Sequence, residues 1–237
     1  MFEQSPDVSR LKGLSRSKLY GEFIRILLAE DAGPNRQMKA QFCQQFRTSP
    51  GERLFEYRRD VLESVALALQ EERDVRDAVV QCLQQVVGWS AQDAARKAGE
   101  VLEILAKQRT GLVVLRGDRY EFIHPSFREY LAAAALVQAY DADMEKVWSR
   151  VVSRWSEKNW DEVALFALGI LSDENKDVTP LLGQIWEGGE NGLNFSYIAL
   201  ADQVRVEDDW ANHVLKTLRT QVRDPTSGRT RSFFSWL

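Results

Sequence analysis

Cysteine and histidine are scarce in this chain: Cys43 and Cys82, His124 and His213, among 237 residues. Scattered singly, they offer no metal-ligand spacing, and two thiols make no disulfide framework. A zinc enzyme and a disulfide-stapled secreted domain are thereby set aside, and so little cysteine fits a reducing, cytoplasmic setting. Long apolar runs are missing too. The longest, Leu131–Val137 and Val163–Leu171, fall well short of the roughly 20 residues a membrane-spanning helix needs. Met1–Arg10 is polar and acidic, unlike the basic and then apolar start of a signal peptide. Neither G-x-x-x-x-G-K-[ST] nor G-x-G-x-x-G occurs, so the chain carries no phosphate-cradling loop, and without G-x-S-x-G it has no nucleophile elbow. Positive charge is not in excess either: 31 Lys and Arg stand against 35 Asp and Glu, a net charge of −4. A chain so balanced is no obvious polyanion binder as a whole.

What is present is helical periodicity. With 44% hydrophobic and 28% charged residues the chain has the composition of a globular protein. Leu19, Phe23, Ile26 and Leu27 share one face of a helix predicted from Ser17 to Glu30, broken at Asp31–Pro34. Phe42 and Phe46 suggest a short helix within Asn35–Gly51. Leu54, Tyr57, Val61, Val65 and Leu69 mark a second strong helix, and Asp74–Val87 a third, ended by Gly88. Ser90-Ala-Gln-Asp93 resembles a capping box and opens a fourth, from Ala91 to about Arg109. After Gly111 the pattern changes. Leu112–Leu115 and Tyr120–Ile123 are β-prone and flank the turn Arg116-Gly-Asp118, which reads as a small hairpin. Pro125 suits the first turn of a helix running to about Tyr140. Beyond Asp141, Val147–Trp155, Trp160–Leu171, Val178–Trp186, Asn194–Val204 and Trp210–Val222 read as successive helices of a solenoid-like array. No repeat of fixed length is visible. The fold class is thus mainly α: helical over 1–89, helix–hairpin–helix over 90–140, and a helical array over 141–237.

Charge is uneven along this plan. Residues 1–89 hold 13 acidic and 13 basic side chains and residues 90–140 hold 6 and 7, whereas Asp141–Asp224 holds 16 and 9. Of the two histidines, His213 sits on a polar helix face and reads as a surface residue. Cys43 and Cys82 read as small buried hydrophobes. His124 stands at a strand-to-helix junction. Such a corner can hold an anion through backbone N–H groups and the helix dipole, with the imidazole as a further donor; equally, the ring can cap the helix locally. The final Phe233, Phe234, Trp236 and Leu237 form an aromatic cluster that either packs back on the body or reflects a chain cut before its natural end.

The stretch around His124 carries a resemblance. Gly111-Leu112, Tyr120, Phe122, His124, Pro125, Ser126-Phe127 and Glu129-Tyr130-Leu131-Ala132-Ala133 follow the string "GLL…Y.F.H.SF.EYLAA" of the winged helix in NACHT-type NTPases, STAND-class signalling ATPases that include the NOD-like receptors. Lys18-Leu-Tyr-Gly-Glu-Phe23 resembles the helix that opens the helical domain after the NACHT nucleotide domain, and Trp160–Leu171 resembles the start of the family's helical superstructure. The resemblance implies a helical domain (1–89), a winged helix (90–140) and the beginning of an array (141–237), lacking the P-loop domain. It implies that the parent protein binds ADP or ATP with Mg while this chain alone holds no cofactor and performs no catalysis. It implies that His124 contacts the β-phosphate of ADP, with Tyr120, Phe122, Pro125, Ser126, Phe127, Glu129 and Tyr130 as its supporting motif. The implied partners are the NACHT domain in cis or in trans, a trigger protein or ligand, and further copies of the protomer on activation, in signalling such as prokaryotic defence.

Two other readings stand beside it. In a winged-helix DNA-binding protein, Arg96, Lys97, Lys107, Arg109, Arg116 and Arg119 would form the contact surface; a segment charge of only +1 disfavours nucleic acid. In a helical adaptor, Trp148, Trp155, Trp160, Trp186 and Trp210 would belong to a concave binding patch if they were exposed, and to the core otherwise.

Overall fold

The computed structural model describes residues 14–29, 33–107, 112–140 and 143–223. Met1–Arg10, the turn residues Asp31 and Gly111, Arg109, Arg229, Arg231 and the terminal aromatic cluster lie outside the described residues. The described chain is mainly α with one small antiparallel hairpin. It divides into two compact units, Tyr20–Asp141 and Ala142–Leu237, the latter joined by Met1–Leu19.

In the first unit, α1 (Arg16–Leu27, its first residues belonging to the other unit), α2 (Gly33–Phe46), α3 (Thr48–Glu56), α4 (Arg58–Gln70), α5 (Val75–Val86) and α6 (Ala91–Lys107) follow one another. Their apolar stripes meet in one core that includes Phe42, Leu54, Val65, Leu83, Val101 and Leu102. Leu54–Leu69 is not one helix as the spacing predicts. The chain turns at Tyr57 (φ −91°, ψ 18°) into two helices, α3 and α4. The cause lies in the next residue: the Arg58 guanidinium donates to the Phe55 and Leu28 carbonyls and lies 3.8 Å from the Phe55 ring centroid, capping the ends of α3 and α1. The segment around Phe42 is likewise two helices, parted at Arg47 (φ 69°). There Gly51 of α3 lies so close to Cys43 of α2 that a Cβ would stand 2.5 Å from its Cα.

The starts of α5 and α6 follow their sequence signals. Asp74 Oδ1 accepts from the Asp77 N–H at 2.8 Å, and Ser90 Oγ from the Asp93 N–H at 3.1 Å. β1 (Val113–Arg116) pairs with β2 (Arg119–Phe122) in the register Val113 to Phe122 and Leu115 to Tyr120. The two-residue turn places Gly117 at φ +64°, the position that glycine alone occupies without steric cost in a hairpin of this length. α7 (Pro125–Ala139) then packs chiefly along α4. The hairpin thus stands between α6 and α7.

In the second unit, α8 (Met144–Arg150), α9 (Asp161–Asp173), α10 (Thr179–Trp186), α11 (Glu190–Ala201) and α12 (Asp208–Arg223) make the array. The helix predicted over Val147–Trp155 breaks at Val151 (φ −125°, ψ −66°) into α8 and a 3₁₀ turn, Val152–Arg154. α9 is apolar on nearly every side, with Val163–Gly169, Leu171 and Ser172 buried, which makes it the central helix of the unit. Arg205 closes the array behind α9: its N–H donates to Ser172 Oγ at 2.8 Å and its guanidinium to the Ser172 carbonyl. No described helix is long and apolar enough to cross a membrane.

Candidate functional site

The hairpin aims the corner that follows it. Val113, Leu115, Tyr120 and Phe122 share one face of the ladder. Val113 is buried, and Tyr120 and Phe122 pack against the helical core. Burial, reinforced by nearby Glu103, raises the Tyr120 pKa, with Arg76 opposing. The Ile123 N–H extends the ladder to the Leu112 carbonyl at 3.0 Å. The chain therefore leaves the sheet in fixed register and enters α7 with Ile123, His124 and Pro125 exposed.

His124 is the N-cap of α7, in extended conformation (φ −142°, ψ 137°). Its Nδ1 accepts from the Ser126 N–H at 3.2 Å, and its carbonyl accepts from the Phe127 N–H at 3.2 Å. Pro125 has no N–H to satisfy. The first-turn donors that could have cradled an anion are thus already engaged by His124 itself. With Nδ1 engaged in this cap, Nε2 is the ring nitrogen left outside it. Among the described residues nothing bonds Nε2. The exposed corner therefore leaves one ring nitrogen outside the cap, at the positive end of a helix of 15 residues. Capping and ligand contact use different ring nitrogens, so the two roles open to His124 in sequence are compatible.

Of the rest of the motif, Phe127, Glu129 and Tyr130 anchor α7, while Pro125 is exposed. Phe127 meets Tyr20 edge-on at 5.6 Å, and Tyr130 stacks on Tyr20 at 6.1 Å. Tyr130 is buried, and its Oη sits 2.8 Å from where a Gly21 Cβ would lie. That close approach explains a glycine inside α1, an otherwise poor helix position. Tyr130 also accepts from Arg59, whose Nε donates to Glu63 Oε1 at 2.7 Å. Burial works against the Arg59 charge, but Glu63 and Tyr130 more than offset it and raise its pKa. Glu63 is 5% exposed, and burial pushes its pKa up despite Arg59. Glu129 is buried beside Arg128, at 3.5 Å. Arg59 and Glu63 carried no sequence signal, since a charged pair spaced i, i+4 reads as a solvated helix face.

The other candidates fall elsewhere. Arg96 pairs with Asp93 at 2.7 Å, Lys107 with Glu103, and Arg116 with Glu121 at 3.5 Å. Lys97 lies 4.4 Å from the Trp89 ring centroid. These cations form a mixed-charge surface, each with a local partner. Among the tryptophans, Trp160 is buried beneath the Arg154 guanidinium, Trp155 packs on Phe195 at 5.4 Å, and Trp186 packs on Trp210 at 6.3 Å; with Trp148 half-buried, they read as core and its margin. His213 is exposed, yet its ring packs on Trp186 at 5.5 Å. Cys82 is buried, and burial raises its thiol pKa. Cys43 is half-buried, its Sγ 3.8 Å from the Thr48 carbonyl oxygen, rather than the buried hydrophobe expected. No group of three or more His, Cys, Asp or Glu among the described residues is placed to hold a metal ion.

Residues 16–136, just over half of the chain, match the model of a family described as a winged helix-turn-helix domain C-terminal to NACHT. The match begins at the first residue of α1 and ends within α7, so it takes in Tyr20, Gly21, Arg59, Glu63, the hairpin and His124. No curated protein and no solved structure matches the chain significantly.

Proposed function

The chain belongs to the family of winged helix-turn-helix domains that lie C-terminal to NACHT, and from that membership we propose that it is the regulatory region of a NACHT-type nucleotide switch. In this reading the nucleotide and its Mg sit in a NACHT domain, in cis or in trans, and this region acts on them without catalysis of its own. The observation that carries the reading is His124 itself, exposed at the start of α7 and capping the helix through Nδ1, which leaves Nε2 outside the cap as a candidate donor. It fits one phosphate oxygen, favoured further by the helix dipole. With the Ser126 and Phe127 N–H groups occupied, the corner supplies a single contact and not a nucleotide site. It therefore matters only when another domain holds the nucleotide.

The mechanism follows from differential contact. A ligand shifts a two-state equilibrium only as far as it binds the two states differently. With ADP, His124 bonds the β-phosphate and biases the closed state. Exchange to ATP, or engagement of a trigger by the acidic array, loses that bond and frees the protomer to assemble with its copies. The helical (1–89), winged-helix (90–140) and array (141–237) segments are then the lever, latch and sensor of a cytoplasmic signalling protein, with prokaryotic defence as the setting.

The test separates cap from contact. His124→Ala and His124→Asn are placed in the intact NACHT-containing protein. Asn keeps a side-chain cap but shortens the outward donor, so both variants lose the phosphate bond, worth about 1 kcal/mol, and release ADP roughly fivefold faster with raised basal activity. Only the Ala variant also loses about 1 kcal/mol of stability through the missing cap. Unchanged ADP retention in both variants would overturn the reading.

A further inference from the structure

Four residues at the start of α1 are gripped by acids of the array. Asp173 accepts from Ser15 Oγ at 2.7 Å and from Ser17 Oγ, and Lys18 Nζ stands 3.5 Å from its Oδ1. Arg16 pairs with Glu162 at 2.5 Å and Asp202 at 3.0 Å, and lies 4.6 Å from the Phe166 ring centroid. The Arg16 N–H reaches the Asp202 carbonyl at 3.3 Å. Gly169 of α9 admits the approach: a Cβ there would lie 2.7 Å from Ser17 Oγ. Ser15 and Ser17 are buried in the contact.

Local helix electrostatics opposes most of these placements. Asp173 is the last residue of α9 and Asp202 the C-cap of α11, so two carboxylates sit at the negative ends of helices. Arg16 and Lys18 lie in the first turn of α1, which contains no acid, so two cations sit at a positive end. Each charge is unfavourable on its own helix and is compensated only across the contact. Such conflict between local rule and tertiary use is expected at functional or strained sites. The contact is also wired to the far end of the array. Ser172, next to Asp173, holds Arg205 of the α11–α12 loop, three residues from Asp202, and the Glu207 N–H donates to Thr179 Oγ1 at 3.0 Å.

We propose that Glu162, Asp173 and Asp202 form a latch on residues 15–18, through which rearrangement of the last helices of the array is transmitted to the chain that leads into α1. The Ser172–Arg205 contact holds Asp173 and Asp202 in register; shifting α11 or α12 parts the two acids and releases Arg16 and Lys18 together. Where a NACHT domain precedes this region in the same polypeptide, the latched residues are those that connect it to α1. The latch stands on its own geometry, whether or not His124 touches a nucleotide.

Amide hydrogen exchange on the full 237-residue chain tests it, read at Arg16 and Lys18, whose N–H groups bond to the Asp202 carbonyl and to Ser15 Oγ. Asp173→Ala should speed exchange there about tenfold. Ser172→Ala touches none of residues 15–18, yet should speed it about threefold. Unchanged exchange in the Asp173 variant overturns the latch; a rise there without one in the Ser172 variant overturns the transmission. If Asp173→Ala also loosens Val163–Leu168, Ser17→Ala replaces it, with acceleration at Arg16 expected and no change overturning the latch.

Discussion

Each of the two units is built around one helix that is apolar on nearly all sides, and the two treat the ends of that helix in opposite ways. α7 buries Glu129–Ala134, Leu136 and Val137, and α9 buries Val163–Gly169, Leu171 and Ser172. α7 opens on an exposed corner, His124, while its hold on the unit comes from inside the helix: Tyr130 against Tyr20, Gly21 and Arg59. α9 is held at its ends, Glu162 in its first turn and Asp173 in its last position, both by residues of α1. A helix anchored from its middle can present a free terminus to a ligand. One anchored by its termini is a natural element for passing on a displacement.

Three experiments sharpen that contrast, in order of expected effect. Leu83→Ala in the first unit and Leu168→Ala in the second both empty fully buried sites and should each cost about 3 kcal/mol by denaturant unfolding. A markedly smaller loss for Leu168 would mean that the array core is looser than the helical core. Glycine replacements come next. A Cβ at Gly51 would lie 2.5 Å from Cys43 backbone atoms, and one at Gly192 would lie 2.0 Å from the Ile185 carbonyl oxygen, whereas Gly99 and Gly183 have nothing within 4 Å. Ala at Gly51 or Gly192 should cost about 2 kcal/mol, while Ala at Gly99 or Gly183 should add up to about 1 kcal/mol through helix propensity, read as shifts in melting temperature.

The smallest effect is a pH dependence in the first unit. Burial raises the Glu63 pKa, so the folded state holds that proton more tightly than the unfolded chain does. The resulting stabilisation is fully present below the ordinary glutamate value of about 4.3 and is lost as pH rises through the raised folded value. Glu63→Gln removes this dependence. Unfolding at acidic and neutral pH should show the variant gaining on the parent protein as pH rises; a parallel offset at both would show that Glu63 titrates alike in the two states.

Much of the first unit was legible because its signals are local. The Asp74 and Ser90 caps, the Gly117 turn, Pro125 at the start of α7 and the apolar stripe of α6 each act within a turn or two of chain. Even the corner at His124 could be placed from the strand-to-helix junction. The break at Tyr57 could not, because what ends α3 is the Arg58 guanidinium reaching the Phe55 and Leu28 carbonyls, and the break at Arg47 (φ 69°) has no glycine to signal it. Several helix ends were equally hidden: Glu72 (φ 54°), Asn175 (φ 62°) and Gln203 (φ 63°) follow α4, α9 and α11 in the left-handed conformation where a glycine would have signalled the stop.

The sequence by itself determined most of the helices, the hairpin, the position of His124 and the family string around it, since periodicity, capping and turn chemistry are short-range. Only the tertiary structure decided which nitrogen of His124 caps α7, why Gly21 must be glycine, and that Arg16 and Lys18 belong to acids more than 140 residues away. These depend on charges and close contacts compensated across helices. A single helix cannot reveal them, because within it the same residues look like a solvated face or a misplaced charge.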